Sequence, residues 1–359
     1  MRQRGIAVIT VLLALAIAVL ISSEVIMRVY QGMKRSQNHF NTQQAWQYAL
    51  GGEAWARQKL ALDFEEAKRS GRKVDHLFEP WALPAQRMEL DGGYLEVEIY
   101  DMQSQFNLNN LVTEDGAIDG GQVIVFKRLL SELGVRPLYG DFAARWASYR
   151  DDTDNMYGKD EYPYRAADTQ FGSVTELRQL RDMEMKDYER VRPFLAVLPV
   201  PVTVNINTAS PPVLAALAGG GAGMNERLKA FLQKREQQVN GLLSTDAFIT
   251  SMGIQNDDLD ELLSVSSDYF RVRVIAEYAG RKAWLESVLF RDSDTGEISL
   301  LSRNSGTRFT FGNSDMQLES EDTGVGSDDK GDKGKKDDRG SGRDSEPEKG
   351  DNAPDEPSE

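Results

Sequence analysis

Ile6 to Ser23 is a run of eighteen residues without a charged side chain. As a helix it would be about 27 Å long at roughly 1.5 Å per residue, close to a bilayer hydrocarbon core of about 30 Å. After Glu24 the pattern stays helix-compatible to about Ala67. Val25, Val29, Met33, Phe40, Trp46, Leu50, Trp55 and Leu60 recur there at mostly helical spacing. Gly51-Gly52 weakens this stretch, because a mid-helix Gly costs about 1 kcal/mol relative to Ala. The pair predicts a close-packing point or a kink.

A different period follows. Asp91-Gly92-Gly93 reads as a hairpin turn. Tyr94 to Tyr100 then alternates, with Leu95, Val97 and Ile99 on one face of a half-buried strand. Phe106 to Asn110 reads as a turn-rich exit. From about Gly120 to Val265 the spacing is mostly helical, over Val123–Leu133, Asp141–Tyr149, Ser173–Leu180, Asp187–Leu195, Val213–Leu217, Asn225–Gln238, Thr245–Met252 and Asp257–Leu263. Ser173 with Glu176 is a capping box, and Pro211-Pro212 suits a first helical turn. Alternation returns in Tyr269–Tyr278, with Phe270, Val272, Val274 and Ala276 on one face. A turn is expected over Ala279–Lys282, then a strand over Ala283–Arg291 and another over Ile298–Ser302. A helical block between two strand groups predicts an α+β domain with a large insertion.

The residues before the apolar run are Met1-Arg2-Gln3-Arg4-Gly5. A secretory signal places its small cleavage residues after the apolar core; here the small residue at a boundary is Gly5, in front of it. Cleavage after Gly5 would leave Ile6 as the first residue and keep the hydrophobic segment, a layout that resembles a type IV pilin-like precursor. Arg2 and Arg4 predict a cytoplasmic N-terminus and a body on the far side of the membrane, which for a pilin-like precursor implies the inner membrane and the periplasm. A plain signal anchor holding a periplasmic domain has the same first segment.

The net charge of −15 argues against nucleic acid, since phosphate binding needs a basic face. The absence of cysteine excludes thiolate zinc sites. Residues 321–359 hold fourteen acidic and seven basic side chains, and the stretch 312–359 is too poor in apolar residues to fold by itself. It is expected to be a disordered acidic tail. The two histidines, His39 and His76, stand near no nucleophile or acid constellation, and no phosphate-binding or dinucleotide loop is present. The chain is not expected to be an enzyme.

One cluster carries metal-ligand chemistry: Asp151, Asp152, Asp154 and Asn155, then Asp160 and Glu161 after Gly158. Such oxygen donors suit Ca²⁺, which takes six to eight of them at about 2.3–2.6 Å, although the order is not that of an EF-hand. A solvated acidic loop reads the same. A second motif, Asn205 to Ala209 followed by helix, the glycine run 219–223 and helix, resembles a helix-hairpin-helix unit. Lys229, Lys234 and Arg235 lie near it, offset by Glu226 and Glu236. It is a packing unit or, in the competing reading, part of a membrane-anchored periplasmic DNA-binding protein.

Gly-Ile-Ala-Val-Ile-Thr at 5–10, Gln-Ala-Trp-Gln-Tyr-Ala-Leu-Gly-Gly-Glu at 44–53, Phe-Asn-Leu-Asn-Asn-Leu at 106–111, Tyr-Arg-Ala-Ala-Asp at 164–168 and Val-Asn-Ile-Asn-Thr-Ala-Ser at 204–210 together resemble the K-type minor pseudopilins of type II secretion systems. The resemblance covers about residues 1–305. It implies a pilin-like long N-terminal helix with an antiparallel sheet, interrupted by a large all-α insertion with SAM or helix-hairpin-helix-like units. It divides the chain into leader 1–5, transmembrane and spine helix 6–67, sheet domain 68–110 and 266–311, insertion 111–265 and tail 312–359. Pilins carry Glu at the fifth mature position, where it pairs with the amine of the subunit above; here Thr10 stands there, as in a tip subunit. The resemblance further implies cleavage at Gly5–Ile6 by prepilin peptidase and methylation of Ile6. It implies structural Ca²⁺ on Asp152, Asp154, Asp160 and Glu161, with Asp151 and Asn155 as neighbours and Asp168 as a secondary candidate. The implied partners are I- and J-type minor pseudopilins, the major pseudopilin and the inner-membrane assembly platform. Secreted substrate or the outer-membrane secretin are further expectations, and the implied role is to initiate or cap the pseudopilus in protein export.

Overall fold

The computed structural model describes residues 3–150, 157, 164–219, 223–254 and 257–311. Helix α1 runs from Gln3 to Ser70, 68 residues without a proline. It ends in a Schellman turn. Gly71 takes φ +67, its N–H donates to Lys68 O, and the Arg72 N–H donates to Ala67 O. From Ile6 to Phe40 almost every side chain is exposed. From Asn41 onward one stripe is buried: Asn41, Ala45, Ala49, Gly52, Glu53, Ala56, Leu60 and Phe64.

That stripe differs from the one the large residues suggest. Trp46, Leu50 and Trp55 are half-buried at its edges, while the seam itself is made mostly of small side chains. The helix therefore lies very close to the sheet. A Cβ on Gly52 would stand 2.7 Å from Val274 Cγ1 and 3.1 Å from Val97 Cγ2, whereas one on Gly51 would meet nothing within 4 Å. The glycine pair is a close-packing point in an unbroken helix.

Strands β1 (Gln86–Leu90) and β2 (Gly93–Asp101) form the expected hairpin. The chain then leaves the sheet for residues 102–268. There it forms the short strand β3 (Phe106–Asn107) and helices α2 (Gly120–Glu132), α3 (Leu138–Ala147) and α4 (Met185–Val191). Strands β4 (Leu195–Ala196) and β5 (Val204–Asn205), helices α5 (Pro211–Ala218), α6 (Met224–Gln237) and α7 (Asp246–Met252), and strand β6 (Leu263–Ser264) follow. It returns as β7 (Tyr269–Tyr278), β8 (Arg281–Arg291) and β9 (Ile298–Asn304). The main sheet is antiparallel in the order β1-β2-β7-β8-β9, so the strands on either side of the insertion are hydrogen-bonded neighbours.

The expectation of an all-α insertion is corrected. Two parallel pairings, β3 with β4 and β5 with β6, lie within it. Pairs of two residues are too short to show a period-two pattern. Val174–Gln179 and Asp257–Leu262 are 3₁₀ rather than α-helical, although the Ser173–Glu176 capping box is present. The helix expected to reach Leu195 stops at Val191, and Leu195 pairs as a strand. The turn expected over four residues is the pair Ala279-Gly280, both at positive φ, with Arg281 and Lys282 already in β8.

The sheet core holds Leu95, Val97, Ile99, Phe270, Val272, Val274, Ala276 and Leu285 against α1. The insertion has its own larger core around Phe106, Phe126, Leu129, Tyr139, Val213 and Phe248. A small cluster of Met102, Ala196, Leu198 and Tyr269 lies apart from both. A polar staple adds to the helix–sheet seam. Glu53, 2% exposed, accepts from Ser287 Oγ at 2.7 Å, Arg303 Nε at 2.7 Å and Arg57 Nη2 at 2.6 Å. Burial pushes its pKa up, but the Arg303 and Ser287 bonds and the two guanidinium charges outweigh this and hold it below the usual value.

The two adjacent glycines should respond in opposite ways. Gly52→Leu is expected to destabilise the fold by about 1–3 kcal/mol through overpacking. Gly51→Ala should be neutral or stabilise by up to about 1 kcal/mol. Urea unfolding followed by circular dichroism checks both, and equal effects would refute the close-packing assignment.

Candidate functional site

The N-terminal end of α1 carries the positions expected for processing and assembly. Gly5 is in helical backbone, and Ile6 is 64% exposed. Thr10 donates its hydroxyl to Ala7 O at 2.9 Å, so its polar group is satisfied inside its own helix. The helix is long and apolar enough to cross a membrane, and none of its apolar window is buried by the rest of the chain.

The candidate calcium ligands Asp151, Asp152, Asp154, Asn155, Asp160 and Glu161 lie outside the described residues. Arg150 and Tyr164, on either side of them in the sequence, lie within the described part. Arg150 pairs with Asp115 at 2.8 Å, and Ser148 donates to Gly116 O at 2.7 Å. Tyr157, between the two groups of acids, is fully buried. Its ring centroid is 5.5 Å from that of Trp146 and 4.8 Å from that of Tyr164. Asp168 has φ +49, and its N–H donates to Trp146 O at 3.1 Å. Tyr157, Tyr164 and Asp168 thus all contact Trp146 of α3.

The helix-hairpin-helix-like unit comprises α5 and α6, joined through the glycine run. Arg235, one of the cations that a phosphate would need, is turned inward. Its Nη1 donates to Ile206 O at 3.1 Å and Ala209 O at 2.7 Å. The unit uses that charge to hold its own backbone, and the DNA-binding reading loses it.

The asparagines in the quoted motifs are clamps. Asn107 Nδ2 donates to Val200 O at 2.9 Å, and its Oδ1 accepts from Leu198 N at 3.0 Å. Asn109 bonds Phe171 through both its amide atoms, and Asn110 does the same to Val202. Asn207 holds Leu242 in the same way. Phe106 to Asn110 is therefore buried structure, not the simple turn its composition suggests.

Where the insertion leaves the sheet, another asparagine, Asn205, meets a buried charge cluster, donating to Asp75 O at 3.0 Å and Ser267 Oγ at 2.9 Å. Arg291, 5% exposed, donates Nη1 to Asp63 Oδ2 at 3.0 Å and Nη2 to Asp75 Oδ1 and to Ser267 O, the latter at 2.9 Å. Asp75 Oδ2 accepts from Ser267 N at 2.8 Å. Asp101 accepts from Ser267 Oγ at 2.6 Å, from Thr208 Oγ1, and from Asn205 Nδ2 at 3.2 Å. Glu79 Oε2 accepts from His76 N at 3.0 Å and Trp81 Nε1 at 2.7 Å. Carboxylate oxygens of Asp63, Asp75 and Glu79 lie within 4.8 Å of one another. Burial, then the Asp75 charge, raises Asp63 to about 6 against the pull of Arg291. Burial, then Asp63 and Asp75, raises Glu79 to about 8. Burial raises Asp101 to about 6. Burial also lowers His76.

Sequence reasoning missed this cluster. Asp63, Asp75, Asp101 and Arg291 share no local motif, and only the fold brings them together.

Family models described as type II secretion system protein K match residues 104–200 and 204–266. The type II secretion system protein K of Pseudomonas aeruginosa is 35% identical, with 85% of this chain and 93% of that protein covered. That of Aeromonas hydrophila is 32% identical, with 85% and 98% covered. A chain in the crystal structure of the GspK–GspI–GspJ complex from enterotoxigenic Escherichia coli superposes with a TM-score of 0.64 at 24% identity. The match covers 77% of this chain and 99% of that chain, and it is a likeness of fold.

Removing the guanidinium should leave the two aspartates it bonds uncompensated in a buried place. Arg291→Ala is expected to cost about 3–5 kcal/mol, measured by urea unfolding. A loss below about 1 kcal/mol, the size of an exposed pair, would show that Arg291 does not hold the cluster.

Proposed function

The chain belongs to the protein K family of type II secretion minor pseudopilins, and from that membership we propose that it is an assembly subunit occupying the tip of the pseudopilus. The supporting observation is the placement of the insertion. It leaves the sheet beside Asp101, Asp75 and Asp63, at the C-terminal end of α1. The exposed apolar end of the same helix lies about sixty residues away along a helix rising roughly 1.5 Å per residue. A subunit with this bulk at the end remote from its anchor admits neighbours beside it and below it, but leaves no room for another above.

Ile6 to Val29 has to be covered by something other than this chain. Lipid covers it before assembly, with the N-terminus cytoplasmic and the body periplasmic; neighbouring helices cover it afterwards. The neighbours are I- and J-type minor pseudopilins, on a filament of the major pseudopilin raised by the inner-membrane assembly platform. A carboxylate at position 10 would be buried without the amine of a subunit above, at a cost of several kcal/mol in hydrocarbon; Thr10 avoids this by bonding Ala7 O. The subunit initiates or caps the pseudopilus, contacts secreted substrate or the secretin, and supports export without enzymatic chemistry.

Structural Ca²⁺ is the second part of the proposal. Asp151, Asp152, Asp154, Asn155, Asp160 and Glu161 supply only oxygen donors, the chemistry a hard cation takes. Tyr157, which lies between the two groups of acids in the sequence, packs against Trp146 and Tyr164. The ion would close the stretch in a chain that has no disulfide.

The processing step is tested by intact mass and N-terminal sequencing of protein extracted from membranes with an active prepilin peptidase. A chain beginning at N-methylated Ile6 is the expected result. Retention of Met1 to Gly5 would make it a static anchor and overturn the assembly role. For the metal, the melting temperature should fall when EDTA replaces Ca²⁺ and recover on adding Ca²⁺. Ligand at about 100 times its Kd stabilises by about 2.7 kcal/mol. Asp154→Ala with Glu161→Ala should abolish the response, and a wild-type protein indifferent to EDTA would remove calcium from the proposal.

A further inference from the structure

The carboxylates at the root of the insertion outnumber the cations that serve them. Asp63, Asp75 and Glu79 converge within 4.8 Å, and one buried guanidinium, Arg291, bonds two of them. Asp101 lies on the far side of Ser267 with no cation bonded to it, held by hydroxyl, amide and backbone donors. The same few residues join α1, the loop 72–82, the end of β2, β5, residues 265–268 and the end of β8. We propose that this cluster is a proton-dependent latch: a proton held among its carboxyls keeps the insertion fixed to the sheet, and losing that proton loosens the joint.

Glu79 is the group best placed to carry the proton. On α1 it faces Asp63, with Glu66 lining the same cavity. From its own loop it faces Asp75, His76 and Arg72. Arg291 and Asp268 line the adjoining cavity with Asp63, Asp75 and Lys73, and Lys73 is engaged with Ser293 O at 3.2 Å. His76 Nδ1 accepts from Phe78 N at 3.2 Å, so its proton is on Nε2, 3.6 Å from Glu79 Oε1.

The sign follows from linkage. A carboxyl whose closed-state pKa is raised favours closure fully below its open-state value, about 4.5, and loses that contribution as pH rises toward its closed-state value. Asp63 and Asp101 complete this loss near pH 6, and Glu79 near pH 8; Asp268 is shifted the same way. His76, shifted down, opposes them only as pH falls below its ordinary value of 6.5. The window from pH 6.5 to 8.5 therefore reads the latch through Glu79.

The test is hydrogen exchange of the full chain in detergent, corrected for intrinsic rates. The amides of Asp75, His76, Ser267 and Asp268 are read, with Val272 and Leu285 in the sheet core as reference. Opening at the four joint amides should rise about tenfold from pH 6.5 to 8.5, within the limit of tenfold per unit for one proton, while the reference amides stay protected. In Glu79→Gln, which fixes the neutral form, the joint should stay near its pH 6.5 protection throughout. Unchanged joint protection in the wild-type chain overturns the proposal even if the variant fails to fold. A rise shared by the core amides, or one that persists in Glu79→Gln, overturns it as well.

Discussion

Arg291 is the interaction on which the arrangement of the two halves depends. Its guanidinium is buried at the end of β8 and bonds Asp63 on α1, Asp75 in the loop after α1, and the Ser267 carbonyl before β7. A buried cation must be paired at close range because the interior cannot solvate it. That requirement fixes where three chain segments end relative to one another. Asp75 and Ser267 pass the constraint to Asn205 and Asp101, and so to the insertion. The polar joint gives little net stability for its desolvation, but it permits few alternative geometries.

The long helix has two environments with opposite demands. From Asn41 it lies on the sheet so closely that alanine and glycine form the seam, while Glu53 ties it to Ser287 and Arg303 across that seam. From Ile6 to Phe40 it has no such cover. An apolar surface of this length is stable only in lipid or against other helices. The need for an outside apolar partner, lipid or protein, is therefore written into the same helix that organises the fold.

The insertion is held by amide clamps as much as by its apolar core. Asn107, Asn109, Asn110 and Asn207 each engage backbone atoms of distant segments, satisfying groups that short strands and 3₁₀ turns leave unpaired. Arg235 does the same for Ile206 and Ala209. Residues that look like a nucleic-acid surface or a loop in one dimension are internal scaffolding in three.

Local physics was legible in the chain. The apolar run, the alternating strands Tyr94–Tyr100 and Tyr269–Tyr278, the Asp91-Gly92 turn and the Ser173–Glu176 cap follow from periodicity and short-range hydrogen bonding, and the structure contains each of them. The quoted motifs also led to the family that the comparisons support. What only the tertiary structure decided is which residues meet. The seam of α1 fell on its small residues because the sheet approaches too closely for tryptophan. The two-residue parallel pairings were invisible because their partners are about sixty to ninety residues apart. Asp63, Asp75, Asp101 and Arg291 became one cluster because the sheet places β2 next to β7 across the whole insertion. Periodicity records which side of an element is buried; it carries no information about the partner, which long-range pairing alone supplies.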